Sequence, residues 1–383
     1  MKQVYCDNGS TTFPKAPGLG KVVGEHIDRW GYNISRGGYA GAYSVEEKVI
    51  EARESLCRLF HFPKMRNVVF TAGATAGLNL VLKGLLSPGD HVITSALEHN
   101  AAARPLTQLA EAGVLWEEAP ADPQGRTKPE AVEGLLRPET RLVLINHGSN
   151  VCGVLAPLES IGVLCRERGV FFAVDAAQTA GPIETDMEKC RIDALIFPGH
   201  KGLLGPQGVG GLILSDALAA AMRPLLAGGT GSHSDQLQPP EVLPDKFQPG
   251  TLNLPGIVGL GHALSYLEKE GPGAIREKEA RLTELFLEGV LNMKGVFVPG
   301  PPARERCAVV SLDMLTMDNA QASYLLERDF GIQVRCGLHC APRAHRALGT
   351  FPRGTVRFSF GYFNTEQELS YVLDALHKII SRG

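Results

Sequence analysis

Short runs of consecutive apolar residues recur through the first half of the chain, and glycine or polar residues follow each run. The runs lie at 68–71, 91–94, 142–145, 170–174, 194–197 and 211–214. Continuous hydrophobicity, without alternation, is typical of strands that are buried on both faces of a sheet. Helical patterns at 76–86 and 158–168 lie between strands. This alternation predicts an α/β fold with a mostly parallel sheet and helices on both faces.

The pattern changes near residue 251. Longer helical segments follow at 258–271, 273–289, 320–329 and 366–380, with strands predicted at 309–312 and 356–359. We therefore predict a large α/β domain over 15–255 and a smaller α+β domain formed by 1–14 and 256–383. The segment 228–250 is rich in Gly, Pro and polar residues, and we expect a long loop there.

Composition and charge narrow the class of protein. The net charge of the 383 residues is −3, so nothing favours nucleic acid or an anionic membrane as a partner. No apolar run approaches the roughly 18–20 residues of a membrane span, and the first ten residues lack the apolar core of a secretory signal. The eight cysteines are scattered, which argues against a disulfide scaffold. We expect a cytoplasmic protein without nucleic-acid or membrane partners.

Two charged residues follow neighbouring predicted strands. Asp175 ends the apolar run 170–174, and Lys201 follows the run 194–197 by a few residues. Ligands of parallel sheets bind at the carboxyl ends of the strands. A lysine there can form an imine with an aldehyde cofactor, and a buried carboxylate can pair with a protonated pyridine nitrogen. The alternatives are an exposed loop lysine, and an aspartate that binds a metal or caps a helix.

The segment 70–76 has the order strand, glycine turn, helix. The amino end of a helix offers free N–H groups and the positive end of a dipole, which suit a phosphate. Thr75 can add a hydroxyl. No Gly-Lys-Ser/Thr follows, so the segment is not a nucleotide P-loop. Ordinary helix capping stays open as the alternative.

These motifs stand in the order of a known family. They are Gly73-Ala74-Thr75, Glu98-His99-Asn100, 146–150, Asp175-Ala176-Ala177-Gln178, Gly199-His200-Lys201, Pro249-Gly250-Thr251, Gly337-Leu338-His339-Cys340-Ala341 and Arg357. Over nearly its whole length the chain resembles the class V aminotransferases, and within them the group II cysteine desulfurases. The resemblance implies the pyridoxal-phosphate-dependent transferase fold of type I, with a sheet of the seven-stranded type in the large domain.

The resemblance also implies a cofactor, pyridoxal 5'-phosphate, and roles around it. Lys201 would hold the cofactor and move the Cα proton of the substrate, Asp175 would pair with the pyridinium, and His99 would stack on the ring. Gln178 would bond the phenolic oxygen. The residues assigned to cofactor binding are Ala74, Thr75, His99, Asn150, Asp175, Gln178, His200, Lys201 and Thr251, of which Ala74, Thr75 and His200 would hold the phosphate.

Substrate roles follow from the same resemblance. Arg357 would clamp the carboxylate of a small amino acid with its planar fork, assisted by Arg335 and near Asn150. Thr251 would reach the phosphate in the neighbouring subunit, so the active unit would be a homodimer. Arg357 could instead be a surface cation on a strand.

Cys340 lies among basic residues, and positive neighbours favour the nucleophilic thiolate. By resemblance the catalytic set is Lys201, His99 and Cys340, and Cys340 carries a persulfide. The implied reaction converts L-cysteine to L-alanine and passes sulfur to an acceptor protein or thiol. The alternatives for Cys340 are an inert buried cysteine and a metal ligand with Cys336, His339 and His345; we predict no metal.

Other activities stay open. The chain is shorter than the usual group II desulfurase, and it has Ser35 and Leu338 where many relatives have histidine, and Pro198 where serine is common. These positions are on the substrate side, so selenocysteine lyase, another β-lyase, or an aminotransferase of a small amino acid are alternatives. A non-catalytic partner in sulfur or metal-cofactor assembly belongs to another class, and an intact Lys201 argues against it.

Overall fold

The computed structural model describes residues 3–34 and 37–381. Its strands are β1 (Val4–Tyr5), β2 (Val68–Thr71), β3 (His91–Ser95), β4 (Leu115–Ala119), β5 (Thr140–Asn146), β6 (Phe171–Asp175), β7 (Ala194–Pro198), β8 (Gly210–Leu214), β9 (Val296–Phe297), β10 (Val309–Met314), β11 (Ile332–Gln333), β12 (Arg335–Gly337) and β13 (Thr355–Ser359). Its α-helices are α1 (Leu19–Arg29), α2 (Ala40–Leu59), α3 (Ala74–Leu85), α4 (Asn100–Glu111), α5 (Pro129–Glu133), α6 (Leu158–Arg168), α7 (Asp216–Ala221), α8 (Leu254–Glu270), α9 (Pro272–Leu291), α10 (Asn319–Phe330), α11 (Pro342–Ala347) and α12 (Glu366–Ile380).

A seven-stranded sheet in the order β2-β8-β7-β6-β5-β3-β4 forms the larger unit. Strand β8 runs antiparallel to both of its neighbours, and the other pairs are parallel. The predicted fold class is confirmed. The central strands begin and end within two residues of the predicted bounds, because their apolar runs have few other places to bury.

Both faces of this sheet are covered. Along β6, Phe172 and Val174 pack into one core together with α2, α6 and α8, whereas Ala173 packs into a second core with α3 and α4. Strand side chains alternate between the two faces of a sheet, which is why successive apolar residues enter different cores. Burying one large apolar side chain such as Phe172 contributes about 2 kcal/mol.

Strand β4 was not predicted. It is an edge strand, and its exposure alternates along Leu115–Ala119, with Glu117 on the open side. Charged residues at an edge discourage pairing with other chains. They also remove the continuous hydrophobicity on which the other strand predictions depended.

The C-terminal part forms a smaller α+β unit. Its antiparallel sheet has the order β12-β13-β10-β9, and α9, α10 and α12 supply most of a separate core. Strand β1 pairs in parallel with β11, so the chain's beginning lies beside its C-terminal part. The exact domain bounds remain a prediction.

The segment 228–250 forms the long loop that its composition predicts. It has no strand, and its helical content is a single 3-10 turn, Asp245–Phe247. Among the described residues, no helix has both the length and the apolar character that crossing a membrane demands.

Candidate active site

A cavity of about 860 Å³ lies at the carboxyl ends of the parallel strands. It extends to β12 and β13 of the smaller unit, so both units line it. The predicted residues that line it are Ala74, Thr75, His99, Asn150, Asp175, Gln178, His200, Lys201, Arg335, Cys340 and Arg357. Side chains from seven separate stretches of the chain therefore converge on one space, although the sequence had placed them only by motif order.

Asp175 is the last residue of β6 and is 2% exposed. Its Oδ1 accepts a hydrogen bond from the Ala177 N–H at 2.9 Å. Within the described part of the chain, the carboxylate forms no ion pair. Burial raises its pKa, while the Ala177 N–H and the nearby Lys201 oppose that rise. A buried carboxylate without a cation fits a ligand that brings one, such as a pyridinium. Over residues 3–34 and 37–381 no cluster of three or more Asp, Glu, His or Cys is suited to a metal.

Lys201 follows β7 after a tight turn and lies half-buried against the cavity, so the exposed-loop alternative is wrong. Burial, followed by the positive charge of Arg357, lowers its pKa to about 8, while Asp175 opposes the change. A substantial fraction of the amine is therefore neutral near pH 8. The neutral amine is the form that attacks an aldehyde.

The amino end of α3 has the features of an anion site. Gly73 has φ +149, a value that L side chains rarely adopt, and α3 begins with Ala74. The Thr71 hydroxyl donates to the Gly73 carbonyl at 2.9 Å and so holds the turn. The N–H groups of Ala74 and Thr75 precede the first intrahelical bonds and line the cavity. This arrangement fits a phosphate.

His200 completes this end of the cavity. Its Nδ1 lies 3.0 Å from the Thr11 hydroxyl, so Nε2 is the ring nitrogen left for a ligand. Burial, followed by the charges of Lys201 and Lys15, lowers its pKa to about 4. The imidazole is therefore neutral at pH 7 and can donate one hydrogen bond without adding charge.

His99 caps α4, because its Nδ1 accepts the Ala101 N–H at 3.0 Å. Burial, then the positive charges of Lys201, Arg335 and Arg357, lower its pKa to about 4. The ring is neutral with its proton on Nε2. A neutral aromatic ring fixed at the cavity wall suits stacking on a flat ligand.

Glu98 is a buried residue next to His99 that supports the site, a role that the motif did not reveal. The side chain is 1% exposed, and Oε1 accepts the Ser95 hydroxyl at 2.6 Å and the Asn146 N–H at 2.8 Å. Burial raises its pKa to about 8, so the carboxyl is protonated at pH 7. It ties the turn before His99 to β5. Only its place in the Glu98-His99-Asn100 motif could have pointed to it.

Arg357 lies on β13 and is 2% exposed, so the surface-cation alternative is wrong. Its Nη2 donates to Asp7 Oδ1 at 2.7 Å and to Ser10 Oγ at 2.8 Å, and Nη1 donates to the Asn150 carbonyl at 3.2 Å. Its buried Nε has no partner in the described chain. A buried guanidinium with a free donor at a cavity wall fits a ligand carboxylate.

The turn formed by residues 7–10, here called the N-terminal turn, was given no role by the sequence. The Gly9 carbonyl accepts the Gln178 amide at 2.9 Å. A Cβ at Gly9 would lie 3.2 Å from Arg357 Cζ, so glycine allows this close approach. The polar run directly after β1 was the only signal, and turns of that composition are common.

Cys340 is exposed, so the inert buried alternative is wrong. His339 and Cys340 both have left-handed backbone, with φ +49 and +56, which costs about 1–3 kcal/mol at each non-glycine residue. Hydrogen bonds hold this loop: the Cys340 carbonyl accepts the Asn100 N–H at 2.8 Å, and the His339 carbonyl accepts the Asn150 amide at 2.7 Å. Arg335 Nη2 lies 3.9 Å from Cys340 Sγ.

Thr251 does not line this cavity. It is exposed and borders a second cavity of about 450 Å³. Its predicted reach to a neighbouring subunit remains a prediction.

Of the three departures from the family pattern, Pro198 lines the main cavity and Leu338 is half-buried. Ser35 lies outside the described residues.

The model of one protein family matches nearly the whole chain: "Aminotransferase class-V" matches residues 4–372. A probable cysteine desulfurase of Methanothermobacter thermautotrophicus is 33% identical over 385 residues, covering 99% of this chain and 95% of that protein. A probable cysteine desulfurase of Pseudomonas putida is 32% identical, and the match covers 98% of this chain and 93% of that protein.

Solved structures agree with the fold. The apo cysteine desulfurase of Thermococcus onnurineus superposes with a TM-score of 0.93 at 29% identity, covering 100% of this chain and 95% of that one. The cysteine desulfurase CsdA of Escherichia coli, in its S-sulfonic acid form, has a TM-score of 0.88 at 26% identity, with coverage of 99% and 95%. The chain belongs to the class V aminotransferase family, and its cofactor is pyridoxal phosphate.

Proposed function

We propose that this protein is a cysteine desulfurase, which converts L-cysteine to L-alanine and takes the sulfur onto Cys340. One observation supports this activity above others in the family. The exposed Cys340 thiol lies at the wall of the same cavity as Lys201 and Asp175. An aminotransferase has no use for a nucleophilic thiol at that position. The desulfurase names of the relatives at 32–33% identity agree with it.

The cofactor end of the cavity has the groups that the chemistry requires. When bound, pyridoxal phosphate supplies an aldehyde and a ring that stores the charge left at the substrate Cα. Lys201 would attach the cofactor, and the same amine would then move the Cα proton of the substrate. Asp175 would keep the ring nitrogen protonated, and His99 would cover the face of the ring. The amino end of α3 and His200 would hold the phosphate.

The substrate end recognises an α-amino acid. Arg357 Nε and Asn150 Oδ1 are both buried and have no partner in the described chain. A carboxylate satisfies the first and a donor such as an amine satisfies the second. The Cys340 sulfur bonds to the substrate sulfur while the carbon–sulfur bond breaks. The electron pair stays on the substrate carbon, which takes a proton, and alanine and a persulfide on Cys340 remain.

The surroundings of the reaction are part of the same proposal. The active unit is a homodimer in which Thr251 reaches the neighbouring site, and a thiol or an acceptor protein collects the sulfur. The enzyme works in the reducing cytoplasm. All eight cysteines are free thiols, which is compatible with that compartment.

The activity is tested by incubating the cofactor-loaded enzyme with L-cysteine and dithiothreitol and measuring alanine and sulfide. We expect equal amounts of both from the unchanged protein. Cys340→Ser should lose at least about 100-fold of this activity, because general catalysis without the nucleophile is poor. Cys336→Ser is the matched control, since that half-buried thiol lies on β12, close in sequence to Cys340, and is given no role in the reaction.

Selenocysteine is the second substrate of the panel. If selenocysteine yields alanine rapidly while cysteine does not, the protein is a selenocysteine lyase. If Cys340→Ser transfers cysteine sulfur at the rate of the unchanged enzyme, Cys340 is not the carrier. Turnover only when a keto acid is added identifies an aminotransferase.

A further inference from the structure

Ser10 lies between two arginines at the substrate end of the cavity. Its Oγ accepts hydrogen bonds from Arg335 Nη1 at 2.9 Å and from Arg357 Nη2 at 2.8 Å. The same hydroxyl donates to Asp7 Oδ1 at 2.8 Å. A serine hydroxyl has one proton to donate and two lone pairs to accept with. All three are used here, so this hydroxyl is saturated.

The two guanidinium groups that Ser10 joins perform different tasks. Arg357 has the unpartnered buried Nε that is proposed above to bind the carboxylate, whereas Arg335 Nη2 lies 3.9 Å from Cys340 Sγ. Two like charges so close repel each other, and Arg335 lowers the pKa of Arg357, after burial as the main cause. Asp7 offsets that repulsion from one side, and the Ser10 oxygen offers both arginines a shared acceptor.

Arg335 depends on Ser10 more than Arg357 does. Arg357 is also held by Asp7 and by the Asn150 carbonyl. For Arg335, the Ser10 oxygen and the Cys340 sulfur are the side-chain hydrogen-bond partners found in the described chain. At 3.9 Å the sulfur contact is a weak one. Without the hydroxyl, the Arg335 side chain has the freedom of an unheld arginine, and it moves away from the second positive charge.

We propose that Ser10 is a positioning residue, which holds Arg335 beside Arg357 so that the pair binds the substrate carboxylate and directs a positive charge at Cys340. This inference rests on the proposed desulfurase function and deepens it. The N-terminal turn thereby couples substrate binding to the nucleophile. The arginine pair also makes the enzyme specific for substrates with a carboxylate, because a substrate without one forms no ion pair with it.

The first measurement is steady-state kinetics of Ser10→Ala with cysteine. Loss of a hydrogen bond to a charged group should raise KM about tenfold, with a smaller change in kcat. Ser10→Thr keeps the hydroxyl and should restore KM. Ser359→Ala is the matched control: Ser359 Oγ accepts the Gly9 N–H at 2.7 Å and so holds the same turn, and within the described chain it forms no hydrogen bond with either guanidinium.

The second measurement does not need catalysis. Cys340 is alkylated with neutral iodoacetamide and with anionic iodoacetate, and Cys340→Ser gives the background from other thiols. The arginine pair attracts the anionic reagent, so the ratio of iodoacetate to iodoacetamide rates should fall severalfold in Ser10→Ala. The ratio should be unchanged in Ser359→Ala. If the unchanged protein has no desulfurase activity, the proposed function fails, but this ratio still decides the role of Ser10.

The inference is overturned if folded Ser10→Ala retains both the KM and the alkylation ratio. It is equally overturned if Ser359→Ala produces the same changes, because the position of the turn would then be the cause. Should Ser10→Ala fail to fold, Ser10→Gly removes the same hydroxyl and is readily accommodated in a turn. The same two measurements on Ser10→Gly then decide the question.

Discussion

The two ends of the cavity are built in opposite ways. The cofactor end comes from one sheet: Asp175 ends β6, Lys201 follows β7, and the phosphate cradle follows β2. The substrate end is assembled from the N-terminal turn, β12, β13 and the loop of Cys340, which come from distant parts of the chain. The groups that would bind the cofactor thus lie on a rigid sheet, whereas the groups that would recognise the substrate lie where the two units meet.

The difference extends to charge. At the cofactor end, Asp175 and Lys201 are each left without an ion-pair partner in the described chain, ready for a ligand. At the substrate end, Asp7, Ser10 and the two arginines already satisfy one another to a large degree. We expect substitutions at the cofactor end, like that of the Cys340 nucleophile, to remove nearly all activity, whereas substitutions among Asp7, Ser10 and the two arginines should shift it.

The largest effect is expected for Lys201→Ala. Loss of the amine that attaches the cofactor and moves the proton should lower alanine formation about 10³-fold or more. Borohydride reduction should no longer link the cofactor to the chain, as measured by mass spectrometry. Lys201→Arg keeps the positive charge and should be equally inactive. A borohydride-stable link in either variant would place the attachment on another lysine.

A second prediction concerns the protonation of Lys201 at the cofactor end, which charges at the substrate end influence. The pKa of Lys201 is lowered to about 8, so the neutral amine increases as pH rises through that value. The rate at which cofactor-free enzyme binds pyridoxal phosphate covalently should therefore rise with pH and level off above about 8, followed by absorbance. Below this value the protonated amine predominates and the rate falls.

Arg335→Gln tests whether a charge at the substrate end changes the pKa of Lys201 at the cofactor end. Arg335 is one of the positive charges that lower the pKa of Lys201, so its removal should move the midpoint to higher pH, by about half a unit. Arg281→Gln is the control, because this arginine is exposed on α9. An identical midpoint in Arg335→Gln would mean that the two ends are electrostatically independent.

The smallest effect is expected in the Cys340 loop. Thr355→Val removes the hydroxyl that lies 3.0 Å from His339 Nε2, which should lower the free energy of unfolding by about 1 kcal/mol. Sulfide production should fall modestly, while the absorbance of the bound cofactor stays the same. Thr350→Val makes the same change beside His345, 2.7 Å from its Nδ1, and should cost similar stability without slowing sulfide release. Equal loss of rate in both variants would contradict a local effect.

The sequence determined the central strands, α6 and α12, and it placed Asp175, Lys201 and the start of α3 at the cavity. Each of these depends on residues close together in the chain: an apolar run, then a polar or glycine residue at its end. The parallel sheet brings such ends to one edge, so local pattern and chemistry were enough. The edge strand β4 was missed because its stabilisation comes from pairing with β3 and not from its own hydrophobicity.

Only the tertiary structure decided the substrate end. No local pattern relates Ser10 to Arg335 or Asp7 to Arg357, since these pairs form when β1 joins β11 and the turn after it meets β13. The burial that changes the pKa of Lys201 and Glu98 is also a property of the packed chain. Motifs specify which groups are present, whereas long-range contacts fix which groups face each other, because packing and hydrogen bonding act through space and not along the sequence.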